Sequence, residues 1–344
     1  MTDSGARKAQ VSVIIPNFNR ETLIGETLRN LLEQTVPPHE IIVVDDGSTD
    51  KSVEVVRSFG SQVKLLCQAN QGPGVARNTG LRAATGEFIQ FQDSDDLFAR
   101  NKLAVQTALL ERTGADIAFS PWVKVRIKGK SVTLEDQVLQ QAMPPEGVGL
   151  ACWWLRGWST VFQSLLFRRT FLDRVGFYRT DMLTHEDAEL FFRALTSSPK
   201  VAFSAETLTI YRLHEHHKLT QDEGTSRQRR VMERALFLRL LVARSEECGL
   251  KPDGITRLLF LASIRKEIGY LKTLPEPSVE LVGELSRAAA SMPGGLLDFV
   301  LLGTRLAEQV RLRVRGSRWM KAYQAGPLTN SQRGLLHELG FDAG

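Results

Sequence analysis

EFIQFQDSDD, residues 87–96, is the stretch on which the fold depends most. Its apolar part, EFIQFQ, predicts a buried β-strand, and three aspartates, Asp93, Asp95 and Asp96, follow directly. At a separation of ~4 Å and an effective dielectric constant of ~20, two carboxylates repel each other by about 4 kcal/mol. We therefore expect a cation at this position to offset the repulsion.

Short apolar runs alternate with helical patterns around this stretch. The runs that predict further strands are 11–15, 40–44 and 63–68. The periodic segments that predict helices are 21–35, 46–59, 72–84 and 101–113. Strands joined by helices through short connections predict an α/β fold with a parallel sheet covered on both faces.

The second half of the chain continues this pattern and then changes. The predicted elements are a strand at 115–127, a helix at 150–158, a strand at 164–169, a helix at 184–195 with Thr184 as N-cap, and strands within 200–214. Arginine-rich helical patterns begin near residue 226. We therefore predict two domains, residues 1–220 and a helical C-terminal region, residues 221–344.

Polar groups follow three of the predicted strands: Pro16-Asn17, Asp45-Asp46 and Asp93 to Asp96. Ligands of parallel sheets bind beyond the carboxyl ends of the strands, so these groups predict one site. Carboxylates suit Mg²⁺ or Mn²⁺, which usually bind through one or two carboxylates and substrate phosphates. The expected cation is therefore a divalent metal carrying a nucleotide diphosphate, although aspartates are also common in solvated turns.

Composition limits the classes of protein. The 344 residues carry a net charge of +5, with an isoelectric point near 9.2, which permits an anionic partner. Three scattered cysteines suit a reducing compartment. The N-terminus lacks the apolar segment of a signal peptide, and no uncharged run approaches the ~20 residues that span a bilayer. We expect a cytoplasmic protein, or one bound peripherally at the cytoplasmic face of a membrane.

Several longer motifs together resemble the family-two glycosyltransferases of the GT-A fold. They are VSVIIPNFNR (11–20), IIVVDDGSTDKS (41–52), NQGPGVARNTGLRAATGEFIQFQDSDD (70–96), LTHEDAELFFRAL (183–195) and TIYRLHEHHKLTQ (209–221). The resemblance implies a mostly parallel, Rossmann-like sheet flanked by helices, with residues of about 120–220 on the acceptor side. It also implies an inverting transferase that uses a nucleotide-diphospho-sugar and a divalent metal, Mn²⁺ or Mg²⁺.

The resemblance also implies roles for individual residues. Those implied in nucleotide binding, with uracil as the expected base, are Pro16, Asn17, Phe18, Asp45, Asp46, Arg77, Asn78, Asp93 and Ser94. We favour Asp46 over Asp45 for the base or ribose. Asp95, Asp96 and His214 are the implied metal ligands, although residues 214–217 also suit a solvated loop. Asp187 is the implied general base, with Glu186 beside it, although a helix N-terminus favours acids without any function.

Two features stay open at this point. Trp153, Trp154 and Trp158 are candidates for an acceptor sugar platform, or equally for buried tryptophans on an amphipathic helix. Over 298–321 leucines and valines lie opposite arginines at helical spacing, which suits either an interfacial helix near a lipid-linked acceptor or a helical layer packed on the catalytic domain.

The function expected from these features is transfer of a sugar, most naturally from a UDP-sugar, to a hydroxyl of a glycan or lipid-linked acceptor during surface polysaccharide synthesis. The alternatives are a non-catalytic nucleotide-binding homologue, a nucleotidyltransferase and a glycoside hydrolase that uses two carboxylates. A nucleotidyltransferase would need a glycine-rich, lysine-bearing N-terminal loop, which the sequence lacks. No partner nucleic acid is expected.

Overall fold

The computed structural model describes residues 10–128, 131–139, 141–144, 147–156, 160–213, 227–291 and 325–341. Within these ranges the chain forms two β-sheets and a set of surrounding helices. His214 and Trp158 lie outside the described residues, as do residues 214–226, where the predicted domain boundary falls, and residues 298–321.

The first sheet has seven strands. In spatial order they are β10 (Val201–Phe203), β6 (Ile117–Phe119), β9 (Leu165–Arg168), β4 (Phe88–Phe91), β1 (Val11–Asn17), β2 (Glu40–Asp45) and β3 (Lys64–Cys67). All neighbouring pairs are parallel except those of β9, which runs antiparallel to both β4 and β6. The predicted α/β fold with a mostly parallel sheet is confirmed.

Both faces of this sheet are buried, which explains why its central strands are continuous apolar runs. Alternate residues of a strand point to opposite faces. Val13 and Ile15 pack with α1 (Ile24–Leu32), α2 (Ser52–Arg57) and α4 (Lys102–Thr113). Ile14 and its neighbours on the other face pack with α3 (Pro73–Ala83), α6 (Arg169–Val175) and α7 (Glu186–Leu195).

The second sheet has five strands. In spatial order they are β12 (Ala325–Gly326), β8 (Ser131–Leu139), β7 (Trp122–Lys128), β11 (Thr209–Leu213) and β5 (Leu97–Phe98). The prediction of a single strand over 115–127 is wrong, because β6 and β7 belong to different sheets. The chain leaves the first sheet at Ser120-Pro121, where proline has no N–H to donate to a strand ladder.

Three helices of the C-terminal region pack on the first half of the molecule. They are α8 (Arg227–Glu247), α9 (Gly254–Lys272) and α10 (Val279–Ser291), and their apolar side chains join the core that contains α7 and α5 (Leu150–Leu155). A last helix, α11 (Asn330–His337), packs on the second sheet. Across the described ranges, none of the helices combines the length and apolar character needed to cross a membrane.

Candidate active site

The carboxyl ends of β1, β2 and β4 lie side by side at one edge of the first sheet. Asn17 at the end of β1 is in register with Asp45 at the end of β2, and its Nδ2 donates to Asp45 Oδ2 over 2.9 Å. The aspartates of residues 93–96 follow β4, on the other side of β1. The convergence of polar strand ends predicted from the sequence is therefore confirmed.

Asp45 and Asp46 are buried, and their carboxylates accept several hydrogen bonds within the protein. Asp45 accepts from the backbone N–H of Ser48 (2.9 Å) and from the Ser48 hydroxyl (2.6 Å). Asp46 accepts from the Gln68 side-chain amide (2.8 Å) and from the backbone N–H of Gly72 (2.8 Å). Asp46 therefore fixes the loop that leads into α3.

The other residues predicted for a nucleotide site differ in exposure. Pro16 is half-buried at the end of β1, and Phe18 follows with 39% of its surface exposed. Ser94 is buried. Asn78 donates through Nδ2 to the carbonyl of Tyr178 and accepts from its N–H through Oδ1, both at 2.9 Å. Both polar groups of Asn78 therefore hold the backbone of Tyr178, and its predicted role in nucleotide binding stays a prediction.

The acid cluster after β4 consists of Asp93, Asp95 and Asp96. Each offers one carboxylate oxygen, and these oxygens all lie within 4.8 Å of one another. Arg77 Nη2 lies 2.9 Å from Asp93 Oδ1, and Arg20 Nε lies 3.3 Å from Asp95 Oδ2. Two arginines of the protein thus offset part of the repulsion expected from the sequence.

Asp96 is fully buried behind the other two aspartates. The backbone N–H of Arg212 donates to its Oδ1 over 2.7 Å, and the side-chain amide of Gln163 donates to its Oδ2. Gln163 also reaches Asp93 Oδ2 at 3.2 Å. Burial raises the pKa of Asp96 well above its ordinary value, and the charges of Asp95 and Asp93 raise it further. Asp96 therefore forms the buried part of the cluster, whereas Asp93 and Asp95 are partly exposed.

Arg77 connects this cluster with the acid pair at the start of α7. Its Nη1 lies 2.8 Å from Glu186 Oε1, while its Nη2 bonds Asp93. Its guanidinium also lies over the ring of Tyr178, 5.4 Å from the centroid. One buried arginine on α3 thus holds together two acidic segments that are far apart in the sequence.

Glu186 and Asp187 begin α7, where the helix dipole favours acidic side chains. Glu186 is buried, and this burial together with the Asp187 carboxylate raises the pKa of Glu186 to about 7, while Arg77 acts in the opposite direction. Asp187 is half-buried. Within the described part of the chain its side chain makes one hydrogen bond, accepted by Oδ1 from the Ala188 N–H over 2.7 Å. Asp187 is thus the less constrained acid of the two.

The start of α7 differs from the prediction that Thr184 is its N-cap. The helix begins at Glu186, after His185, which has a φ of 67° and makes no side-chain cap. The Thr184 hydroxyl instead donates to Glu233 Oε2 of α8 over 2.6 Å. A long-range partner therefore replaces the local cap that the sequence favours.

The tryptophans of α5 do not form an exposed platform. Trp153 has 1% of its surface exposed and lies in the core, so its predicted role in stacking an acceptor sugar is wrong. Trp154 is half-buried, with ring centroids 5.5 Å from Phe192 and 6.1 Å from Phe237. The apolar surface of α5 is thus used to join α7 and α8.

Four residues at the site are absent from the sequence-based assignment: Arg20, Gln163, Tyr178 and Arg212. Arg20 and Arg212 lie inside the quoted stretches VSVIIPNFNR and TIYRLH, so those stretches contain a signal for them. Gln163 and Tyr178 lie in segments without a local pattern, and only the tertiary structure brings them to the acid cluster.

The chain is similar to known glycosyltransferases in sequence and in fold. Residues 12–176 match the sequence model of the family described as Glycosyl transferase family 2. An uncharacterized glycosyltransferase of Rickettsia conorii is 36% identical over 125 residues, 36% of this chain and 21% of the relative. The poly(ribitol-phosphate) beta-N-acetylglucosaminyltransferase TarS of Staphylococcus aureus is 28% identical over 219 residues, 62% of this chain and 36% of TarS. The chain thus spans only about a fifth to a third of the length of these two relatives.

Two solved structures share the fold. Residues 1–349 of S. aureus TarS in complex with UDP-GlcNAc superpose with a TM-score of 0.62 and 18% identity, covering 96% of this chain and 92% of that chain. The mannosyltransferase PcManGT from Pyrobaculum calidifontis, in complex with GDP-Man and Mn²⁺, superposes with a TM-score of 0.50 and 21% identity, covering 92% and 85%. The predicted GT-A fold is confirmed, and the match over residues 12–176 confirms the predicted resemblance of this chain to Glycosyl transferase family 2.

Proposed function

We propose that this chain is an inverting glycosyltransferase that moves a sugar from a UDP-sugar to a hydroxyl of a glycan or lipid-linked acceptor. The observation that carries the proposal is the junction at Arg77, where the acid pair of α7 meets the acid cluster at the carboxyl edge of the sheet. Such an edge is where α/β proteins bind ligands. The relatives named as glycosyltransferases, and TarS with UDP-GlcNAc, support this reaction class and this donor.

The donor nucleotide would bind at the ends of β1 and β2. Phe18 offers an exposed ring to the base. Asp45 and Asp46, whose carboxylates are held by hydrogen bonds, would form a rigid acidic side of the nucleotide pocket. In the described part of the chain, Asn17 Oδ1 and Arg77 Nε are buried without a hydrogen-bond partner. Unsatisfied buried polar atoms are costly, so a ligand that bonds them would be stabilising.

A divalent cation, Mn²⁺ or Mg²⁺, fits the acid cluster. The fit rests on three carboxylate oxygens within 4.8 Å of one another, since hard oxygen ligands are those that these ions prefer. Asp95 and Asp93, which are partly exposed, would hold the ion, with Asp96 behind them. Bound there, the ion would neutralise charge on the leaving diphosphate. The complex of PcManGT with GDP-Man and Mn²⁺ supports this assignment.

Asp187 would act as the general base. A hydroxyl is a weak nucleophile, and a carboxylate within hydrogen-bond reach removes its proton as the new bond to the sugar forms. Asp187 suits this task because it is half-buried and only lightly constrained, whereas Glu186 is bound to Arg77. Glu186 would keep Arg77 in place between the acid pair and the donor. Attack from the face opposite the diphosphate then inverts the anomeric carbon.

The proposed acceptor is a cell-surface glycan or its lipid-linked precursor, and the proposed location is the cytoplasm. The sequence suits a cytoplasmic enzyme of surface polysaccharide synthesis, with peripheral contact to the membrane through the basic segment 298–321. TarS, whose name describes a poly(ribitol-phosphate) acceptor, supports a hydroxyl-bearing polymer as the acceptor class.

The test uses the full chain with UDP-sugars, Mn²⁺ and glycan acceptors, and measures UDP release and product formation. Asp187→Asn is expected to lower kcat by about 10²- to 10⁴-fold while UDP binding is retained. Asp173→Asn, at an exposed aspartate of α6, is the matched control and should keep full activity. Unchanged turnover in Asp187→Asn would remove Asp187 as the base. Absence of turnover in the wild type would support a non-catalytic homologue, and cleavage of glycan without a nucleotide-sugar would support a hydrolase.

A further inference from the structure

The segment that leads into α7 is held from the C-terminal region. Glu233, on α8, accepts two hydrogen bonds through Oε2, one from the Thr184 backbone N–H (3.0 Å) and one from the Thr184 hydroxyl (2.6 Å). The Glu233 side chain is only 8% exposed. A buried carboxylate of α8 is thus bonded three residues before the candidate base.

Glu233 is itself fixed by its own helix. Arg229, one turn earlier on α8, donates from Nε to Glu233 Oε1 over 3.0 Å. The two carboxylate oxygens therefore have different tasks, since Oε1 faces Arg229 and Oε2 faces Thr184. This arrangement sets the rotamer of Glu233 and makes it a rigid acceptor for the segment before α7.

His185 shows that the segment needs such support. Its φ of 67° is in the left-handed region, which is unfavourable for a residue with a side chain and persists only where the surroundings impose it. Its ring stacks on Phe237 of α8, with centroids 5.0 Å apart and an angle of 29° between the planes. Its Nδ1 lies 3.1 Å from the Thr184 hydroxyl. Contacts with α8 thus hold both residues that precede Glu186.

We propose that Glu233 is a positioning residue for the acid pair of α7, so that α8 sets the place of the candidate base Asp187. The helix has no side-chain cap of its own, and the hydroxyl of Thr184 donates to Glu233. Without Glu233, the backbone of His185 can relax toward an ordinary conformation. The first helical turn of α7, which carries Glu186 and Asp187, would then change its orientation. The role in catalysis rests on the proposed transferase function, whereas the positioning itself does not.

The first experiment measures hydrogen–deuterium exchange of the full chain without substrate, so its outcome is independent of activity. Glu233→Ala should speed exchange in the peptide over residues 186–195. The matched control is Glu284→Ala, which removes the partner of Arg239 between α8 and α10 and should leave that peptide unchanged. Exchange in Glu233→Ala equal to that of the wild type would overturn the proposal.

The second experiment measures kinetics with a donor and acceptor that the wild type uses. Glu233→Ala should lower kcat by about 10- to 100-fold, as expected for a small displacement of a catalytic group, with KM for the donor within about twofold of the wild type. Thr184→Val, which removes only the hydroxyl, should lower kcat in the same direction, and Thr184→Ser should restore it. This pair carries the test if Glu233→Ala does not fold.

Failure of the proposed transferase function and failure of the positioning role of Glu233 give different results. If the wild type transfers no sugar from any donor, the proposed function fails, and the exchange experiment alone decides on positioning. If the wild type is active and Glu233→Ala raises KM while kcat stays unchanged, the positioning role is overturned although the transferase function stands.

Discussion

Arg77 and Glu186 are 109 positions apart in the sequence, and their side chains form a buried ion pair with a distance of 2.8 Å. The same guanidinium bonds Asp93 over 2.9 Å. α3, α7 and the segment after β4 therefore meet at a single side chain. The candidate site depends on this connection for its stability as well as for its geometry.

We expect Arg77→Met to destabilise the protein by about 3–5 kcal/mol, because removing one partner of a buried ion pair leaves the other charges uncompensated. Urea denaturation of the full chain measures the loss. The matched control is Arg100→Met, since Arg100 and Glu33 form a pair in which both side chains are about half exposed. That change should cost no more than about 1 kcal/mol, and equal losses in the two variants would contradict the expectation.

We expect UDP to raise the melting temperature of the wild type substantially only when Mn²⁺ or Mg²⁺ is present. Ligand at a hundred times its Kd stabilises a folded protein by about 2.7 kcal/mol. Asp95→Ala should abolish the metal-dependent part of this increase, because it removes a partly exposed carboxylate of the acid cluster. Asp173→Ala should behave as the wild type. A full metal-dependent shift in Asp95→Ala would remove Asp95 from the metal site.

We expect the wild type to lose stability relative to Glu186→Gln as pH rises from about 4.5 to about 7. The pKa of Glu186 lies at about 7 in the folded protein, above its ordinary value of 4.5, because of burial and the neighbouring Asp187. The folded state therefore favours the protonated form, and this contribution is complete below the unfolded pKa and is lost as pH passes the folded pKa. Unfolding free energies at several pH values should show a relative decrease of about 1–3 kcal/mol. The expectation would be contradicted if the unfolding free energy of the wild type, relative to that of Glu186→Gln, stayed constant or increased with pH.

Two glycines in helices should respond in opposite directions to the same substitution. A Cβ at Gly80 of α3 would lie 2.4 Å from Ile14 Cγ2, so Gly80→Ala should cost about 1–3 kcal/mol through overpacking against β1. A Cβ at Gly269 of α9 would meet no atom within 4 Å. Gly269→Ala should therefore stabilise by about 0.5–1 kcal/mol through helix propensity. Thermal unfolding of both variants checks the signs.

The central sheet could be predicted from the sequence because its strands are buried on both faces. The predicted runs at 11–15, 40–44 and 87–92 correspond to Val11–Asn17, Glu40–Asp45 and Phe88–Phe91. The antiparallel direction of β9 could not be predicted, since periodicity is the same in either direction. The division of 115–127 into two strands could not be predicted either, because it depends on a second sheet that no local sequence pattern indicates.

The acids of the site could be predicted because they follow strand ends or begin a helix. The contacts of these acids depend on the tertiary structure, since Gln163 lies in the turn just before β9 and Arg212 lies in β11 of the second sheet. The crowding of acids predicts a nearby positive charge, and Arg20 and Arg77 supply part of it, whereas a metal ion at this position stays a prediction. The position of Trp153 could not be predicted, because an aromatic run is equally compatible with an exposed sugar platform and with a buried core. The structure places Trp153 in the core.

The return of residues 325–341 to the second sheet has a practical consequence. Leu328 and Leu336 lie in the same apolar cluster as Val123 and Ile210, which come from β7 and β11. A fragment that stops near residue 220 would leave this surface, and the surface under α8, in contact with water, and should aggregate on expression. Anyone who wishes to isolate the N-terminal half should co-express the remainder as a second polypeptide, so that the two pieces can complement each other.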